Sequence, residues 1–353
     1  VALDLMDRLV PEAVLIIDET SFPKQGIHSV GVSRQYCGAL GKTANCQVAV
    51  TVHLGTDGGC SPLTWELYLP EEWVSDPERR AEVGIPQEIT YRTKNDLALL
   101  GLDRVLAWGV GARVVLADSG YGNSADFREA LRARGLPYCV QVVATTKAWA
   151  EAPDRTVPPR RGRGRPRKRA PIEELPQPLD LLGIARSLPS TSWKTVRWRT
   201  GSRGGLESRF ARCEVWIAHR WTTGRSLPDH SVECLVEWPE GAAAPTKYWL
   251  AELPGQPLGM RRFVRLAKGR WRIEMDYREL KQEVGLDHFE GRSWRGWHHH
   301  VTLVSLAYAF LALETLRSKK NSILDPSPDP PEPPDSSRSL GRMLPSLPKG
   351  LSE

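Results

Sequence analysis

The sequence has no apolar run long enough to cross a membrane. Its longest, VTLVSLAYAFLALETL from residue 301, falls short of the ~20 apolar residues a spanning helix needs and is interrupted by polar positions. A secretory leader is not expected either, because VALDLMDRLVPEAVLIIDE carries acids early and no cleavage site. Cysteine is sparse: six residues, at 37, 46, 60, 139, 213 and 234, with no close pair. That spacing argues against a disulfide framework and against a zinc module, and it places the chain in a reduced, cytoplasmic setting. No internal repeat is visible.

What is present is a globular composition, 353 residues with 41% hydrophobic and 25% charged, enough for one large domain or two ordinary ones. The net charge is +6, but residues 160–169, RRGRGRPRKR, hold seven cations and no acid, so the remainder sums to −1. A second concentration, residues 261–281, has eight Lys or Arg against three acids. Two basic regions in a near-neutral body point to a polyanion that touches specific places.

Along the chain, AVLIIDET reads as a buried central strand, and SVGVSRQYC and CQVAVTVHL as further strands around the turn GALGKTAN. KNDLALLGLDRVLAWGVG has helical periodicity and ends at glycine; ARVVLADSGYG is another buried strand, followed by helix SADFREALRARG and strand PYCVQV. We divide the chain at 1–150, a basic Pro/Gly/Arg-rich linker at 151–189, a strand-rich segment at 190–255, C-terminal helices at 256–320 and a proline-rich tail expected to be disordered at 321–353. RRFVRLAKGRWRIEMDYRELKQEVG is expected to be a single helix.

Asp18 and Asp118 each end an apolar run, where a central strand would deliver its last side chain to the rim of a sheet. Taken alone, either acid could equally be a helix cap or a turn residue. Within RWRIEMDYRELK, helical spacing puts Arg270, Glu274, Tyr277, Arg278 and Lys281 on one face. Asp276 and Glu279 point away from it and are expected to be surface or salt-bridging acids. Three carboxylates on separate elements could hold a pair of Mg²⁺ ions, which take oxygen ligands and act on phosphodiesters.

Together, VLIIDETSFPKQGIHSVGVSRQYCGALGKTANCQVAV, VVLADSGYG and RWRIEMDYRELK resemble the catalytic core of bacterial insertion-sequence transposases of the DDE type. The third block is similar to the Tyr-x2-Arg-x3-Glu-x6-Lys signature of one branch: Arg270, Glu274 and Lys281 match, while Ala267 stands at the tyrosine position. The resemblance spans roughly residues 13–310. It implies a ribonuclease H-like α/β fold, a mixed sheet with flanking helices and a strand-rich insertion before the last catalytic helix. The 156 residues between Asp118 and Glu274 leave room for that insertion. It also implies Asp18, Asp118 and Glu274 as ligands of two Mg²⁺ ions, with Mn²⁺ as a substitute. Arg270 and Lys281, and more weakly Arg278 and Tyr277, would contact DNA.

The activity implied is metal-dependent cleavage at transposon ends followed by strand transfer. The alternatives are a nuclease of the same fold without strand transfer, and a DNA-binding protein that no longer cleaves. The partners implied are double-stranded DNA, as transposon ends and target, and a second copy of the chain in a homodimer or larger oligomer. The protein would be bacterial, cytoplasmic and nucleoid-associated, with no membrane contact. Val1 stands only 17 residues before Asp18, so a domain recognising the element's ends is expected to be missing.

Arg163, Arg165 and Arg167 lie in RGRGRPRKR, which resembles an AT-hook entering an A·T minor groove and reads equally as a solvated basic linker. The consecutive His298, His299 and His300 sit about 100° apart on a helix and cannot converge on one ion; His300 is a phosphate or packing contact. Trp249 is a base-stacking candidate beside a core reading. Lys24, His28, Arg34 and Lys42 could meet the DNA backbone or simply be solvated.

Overall fold

A computed structural model describes residues 13–324 apart from 57–58, 155–174, 202–203, 220, 222–226, 254 and 256–257. The basic segment with Arg163, Arg165 and Arg167, and most of the proline-rich tail, lie outside the described residues.

In chain order the elements are β1 (Val14–Pro23), β2 (Ser33–Cys37), β3 (Lys42–Gly55), β4 (Cys60–Leu67), α1 (Glu71–Val74), α2 (Pro77–Val83), α3 (Lys94–Ala107) and β5 (Val115–Ala117). Then come α4 (Ser119–Gly122), α5 (Ala125–Ala133), β6 (Tyr138–Val142), β7 (Lys147–Trp149), β8 (Leu179–Asp180), α6 (Leu181–Ser187) and β9 (Lys194–Gly201). The last are β10 (Gly204–Ile217), β11 (Val232–Trp238), β12 (Lys247–Glu252), α7 (Met260–Ala267), α8 (Trp271–Gln282) and α9 (Trp294–Leu324). They fall into two compact units, one of residues 1–111 with 271–353 and one of residues 112–270, which cuts across the divisions at 150 and 190.

The first unit is built on an antiparallel sheet. β1 pairs with β3 along its whole length, and β3 pairs with β2 through its first residues and with β4 through the rest. The β-branched run of β1 is buried on both faces, as expected of a strand covered on each side. α3 begins in a capping box: the Thr93 side chain accepts from Asp96 N, and the Asp96 carboxylate accepts from Thr93 N. It packs on β3 and β4 at Gly101, where a Cβ would lie 2.8 Å from Thr64 Oγ1, so only glycine allows this approach. α8 packs over β1, β3 and β4, and α9 packs on β4.

In the second unit β5 and β6 are parallel, and β12, β11 and β10 continue from β6 as antiparallel neighbours, with β9 on β10. Phe210, Leu235, Leu250 and Phe263 fill its interior. The expected α/β class, a mixed sheet with flanking helices, holds, and the alternating segments after residue 190 form strands β9 to β12.

Three expectations are corrected. The single helix drawn through residues 261–285 is two helices. Lys268 caps α7 with its ammonium bound to the buried Glu237 carboxylate (Nζ to Oε2 2.5 Å), Gly269 follows, and α8 starts at Trp271. The end of the segment read as a linker is folded: Asp180 caps α6 through Gly183 N (2.7 Å), and Leu181, Ile184 and Ala185 are buried. Asp18 is not at a strand end. β1 continues through Thr20 and Phe22 to Pro23, so the acid stands in mid-strand.

Candidate active site

Asp18 and Thr51 are direct cross-strand partners of β1 and β3, so their side chains share one face of the sheet. Asp18 is 9% exposed, and its Oδ1 accepts the Glu19 amide at 2.9 Å. α8 lies over this face and is tied down along its length. The Tyr277 hydroxyl is hydrogen-bonded to Thr51 Oγ1, His53 Nδ1 meets Asp276 Oδ2 at 2.9 Å, and Lys281 Nζ donates to Ser21 O at 3.0 Å. Burial, and secondarily the Asp18 carboxylate, pushes the Tyr277 phenol well above its ordinary range. The Lys281 ammonium is pulled down by burial, with Phe22 beneath it.

These ties fix the rotation of α8. Ile273, Asp276, Tyr277 and Leu280 are its buried residues and occupy an arc of about 100°. Glu274 and Lys281 lie about 40–60° beyond Tyr277, on the flank from which Lys281 reaches the β1 backbone. Glu279 lies about 60° beyond Asp276 on the opposite flank, where the Tyr308 hydroxyl of α9 donates to Glu279 Oε2 (2.9 Å) and to Asp276 Oδ1 (3.1 Å). Glu274 is exposed and Lys281 half-buried, so the helix presents this acid and base along the β1 side.

The shared face drawn from sequence is therefore only partly right. Glu274, Arg278 and Lys281 avoid the core, but Tyr277 is 8% exposed and points inward, which removes it from a DNA-contacting surface. Asp276 and Glu279 are not surface acids. Asp276 is 4% exposed inside a polar network, and burial raises the Glu279 carboxyl. The signal was present in Ile273, Tyr277 and Leu280, whose spacing marks the inward face and carries Asp276 with it.

Asp118 belongs to the second unit. It follows β5 directly and caps α4, its Oδ1 accepting Gly120 N at 2.9 Å, so the strand-end placement and the helix-cap reading both hold. Arg270 sits in the turn before α8 and is half-buried; Arg278 is exposed, its Nη2 2.9 Å from Met275 Sδ. Trp249 is a core residue of β12 at 4% exposure, out of reach of a stacked base. His300 packs against Phe289 and meets Leu286 O at 3.2 Å, whereas His298 turns back to Trp294 O, so the three histidines diverge. Lys24 donates to Phe289 O; His28, Arg34 and Lys42 are exposed.

One cluster escaped the sequence reading. His53, Cys60 and Asp276 bring an imidazole, a thiol and a carboxylate together in the interior, with ligand atoms within 4.8 Å of one another.

Residues 2–205 match the family model described as DDE superfamily endonuclease. Over 130 residues the chain is 38% identical to the probable transposase for insertion sequence element IS701 of Microchaete diplosiphon. That alignment covers 36% of this chain and 31% of the relative, so the chain spans about a third of that protein's length. Among solved structures, the NurA nuclease from Sulfolobus solfataricus aligns over 84% of this chain and 83% of its own, at 11% identity and a TM-score of 0.32. Among the described residues no helix is long and apolar enough to cross a membrane.

Proposed function

The chain belongs to the DDE superfamily of endonucleases, and from that premise we propose that it is a transposase that cuts DNA at the ends of a mobile element and joins the freed 3′ end to target DNA. The observation that carries this reading is the rotation of α8. The helix is pinned over the Asp18 face with Glu274 and Lys281 turned to the β1 side, while the two competing acids, Asp276 and Glu279, are tied to His53 and Tyr308.

Asp18, Asp118 and Glu274 are the carboxylates proposed to hold two Mg²⁺ ions, with Mn²⁺ able to substitute. Their donor set is all oxygen, as a hard divalent cation requires, and the exposure of Glu274 leaves its carboxylate accessible. Asp118 enters the set through the resemblance of its sequence block alone. Such ions, when bound, lower the barrier to attack on phosphorus and stabilise the leaving oxygen.

The chain's own residues supply the rest. Asp18 is held in mid-strand by the β1–β3 ladder, so its position is as rigid as the sheet. Lys281, anchored to Ser21 O, and the exposed Arg278 present positive charge to a phosphate backbone, with Arg270 as a further contact. Arg163, Arg165 and Arg167 add a sequence-independent, salt-sensitive grip on DNA. Attack by water and then by the DNA 3′ hydroxyl needs no protein nucleophile. A homodimer or larger oligomer assembled on DNA, and a nucleoid location, belong to the same proposal.

The test is the purified chain incubated with a transposon-end duplex and supercoiled plasmid, with and without Mg²⁺. Metal-dependent cleavage together with covalently joined products supports the transposase reading. Cleavage without joining reduces it to a nuclease, and binding without cleavage overturns it.

A further inference from the structure

We propose that His53, Cys60 and Asp276 form a second metal site, distinct from the cleavage carboxylates, that takes a zinc-type transition-metal ion and staples α8 to the β3–β4 hairpin. The three donors come from three elements: His53 from β3, Cys60 from the first position of β4, and Asp276 from α8. His53 is 0%, Cys60 4% and Asp276 4% exposed, so this is no solvated patch of acids.

The separations suit a small tetrahedral ion. His53 Nδ1 lies 2.9 Å from Asp276 Oδ2 and 3.8 Å from Cys60 Sγ. With bonds of about 2.0 Å to nitrogen and oxygen and about 2.3 Å to sulfur, tetrahedral geometry puts N and O roughly 3.3 Å apart and N and S roughly 3.5 Å apart. These two pairs therefore have to move by only a few tenths of an ångström, and the third, Cys60 Sγ to an Asp276 oxygen, lies within 4.8 Å. The donor set selects the metal: sulfur and imidazole disfavour Mg²⁺ and Ca²⁺ and favour zinc and its neighbours.

Charge and support agree with that choice. A thiolate and a carboxylate cancel a divalent ion, so the occupied cluster is neutral overall and suits a dry interior. Asp276 already divides its oxygens, Oδ2 toward His53 and Oδ1 accepting the Tyr308 hydroxyl at 3.1 Å. That hydroxyl would hold the ligating carboxylate in orientation, as outer partners of metal ligands commonly do. Binding releases the Cys60 thiol proton to solvent. The imidazole proton then resides on His53 Nε2, a buried ring atom with no hydrogen-bond partner among the described residues. None of the three residues is assigned to DNA cleavage, so the site stands or falls independently of the transposase reading.

The experiment measures metal in the full chain, expressed with zinc and purified without chelator or polyhistidine tag. About one zinc per chain is expected, and Co²⁺ exchange should give the near-ultraviolet thiolate charge-transfer band. Cys60→Ser should lose both the ion and the band. If that variant does not fold, the wild-type cobalt spectrum decides alone. Wild-type protein without bound metal or a thiolate band, or a Cys60→Ser variant that keeps its zinc, overturns the proposal. The trio would then be a hydrogen-bonded core cluster with a neutral thiol.

Discussion

Truncating Asp276 to alanine separates the inner acid of α8 from the outer one. The carboxylate accepts from Tyr308 and meets His53 Nδ1 in the interior. Among the described residues, its removal leaves the Cys60 sulfur, 3.8 Å away, as the remaining hydrogen-bonding neighbour of His53 Nδ1. Tyr308 keeps a partner in Glu279 at 2.9 Å, so its loss is partial. One orphaned buried polar group costs about 1–3 kcal/mol. Adding part of a second hydrogen bond and the emptied space brings Asp276→Ala to roughly 2–4 kcal/mol. Asp276→Asn keeps the shape and one acceptor and should lose about half of that. Glu274→Ala, two residues away but exposed, should stay within about 0.5 kcal/mol of wild type. Urea unfolding of the three variants, followed by circular dichroism at one pH, measures the difference. Equal midpoints for Asp276→Ala and Glu274→Ala would refute the inward placement of Asp276 and the helix rotation derived from it.

Two further outcomes follow from other parts of the chain. Burial lifts the Glu66 carboxyl from 4.5 to about 7, only partly offset by Arg104 at 2.5 Å. A raised carboxyl binds its proton more tightly in the folded state, so this group's contribution to stability is greatest below pH 4.5 and declines as pH rises toward 7. Over that window the loss is on the order of 2–3 kcal/mol, and Glu66→Gln should flatten it; a melting-temperature profile that falls identically in wild type and Glu66→Gln would contradict the assignment. Deleting residues 160–169 should weaken DNA binding and lower the slope of log affinity against log salt by about 0.9 for each phosphate the chain no longer neutralises. Fluorescence anisotropy across a salt series reads that slope, and an unchanged slope would place the segment off the DNA.

Sequence reading reached those parts of the fold whose signal is local. β1, β3, β5 and β6 are dense apolar or β-branched runs, and α3 and α5 announce themselves by periodicity with Thr93 and Ser124 as caps. It went wrong where a tertiary contact overrides the local pattern. The run from Arg261 to Gly285 has helical composition throughout, but the Lys268–Glu237 ion pair and Gly269 stop the first helix. Asp276 reads as solvent-facing when charge is given more weight than phase: the Ile273, Tyr277 and Leu280 positions set the buried face, and the acid is accepted there by His53, 223 residues earlier. A pairing at that separation leaves no trace in spacing. The same holds for Cys60, which joins the cluster through the β3–β4 hairpin.

The central claim is that Glu274, not its neighbours, is the acid of α8 that serves cleavage. Glu274→Gln keeps the side chain's shape and removes the charge a divalent cation needs. The direct measurement is Mg²⁺-dependent nicking of a transposon-end duplex by wild type, Glu274→Gln and Glu279→Gln, each shown folded by circular dichroism. The account predicts that Glu274→Gln still binds the duplex but cuts it at least about 100-fold more slowly, a loss of roughly 2.7 kcal/mol in barrier stabilisation, while Glu279→Gln cuts at near the wild-type rate. A fully active Glu274→Gln beside an inactive Glu279→Gln would contradict it.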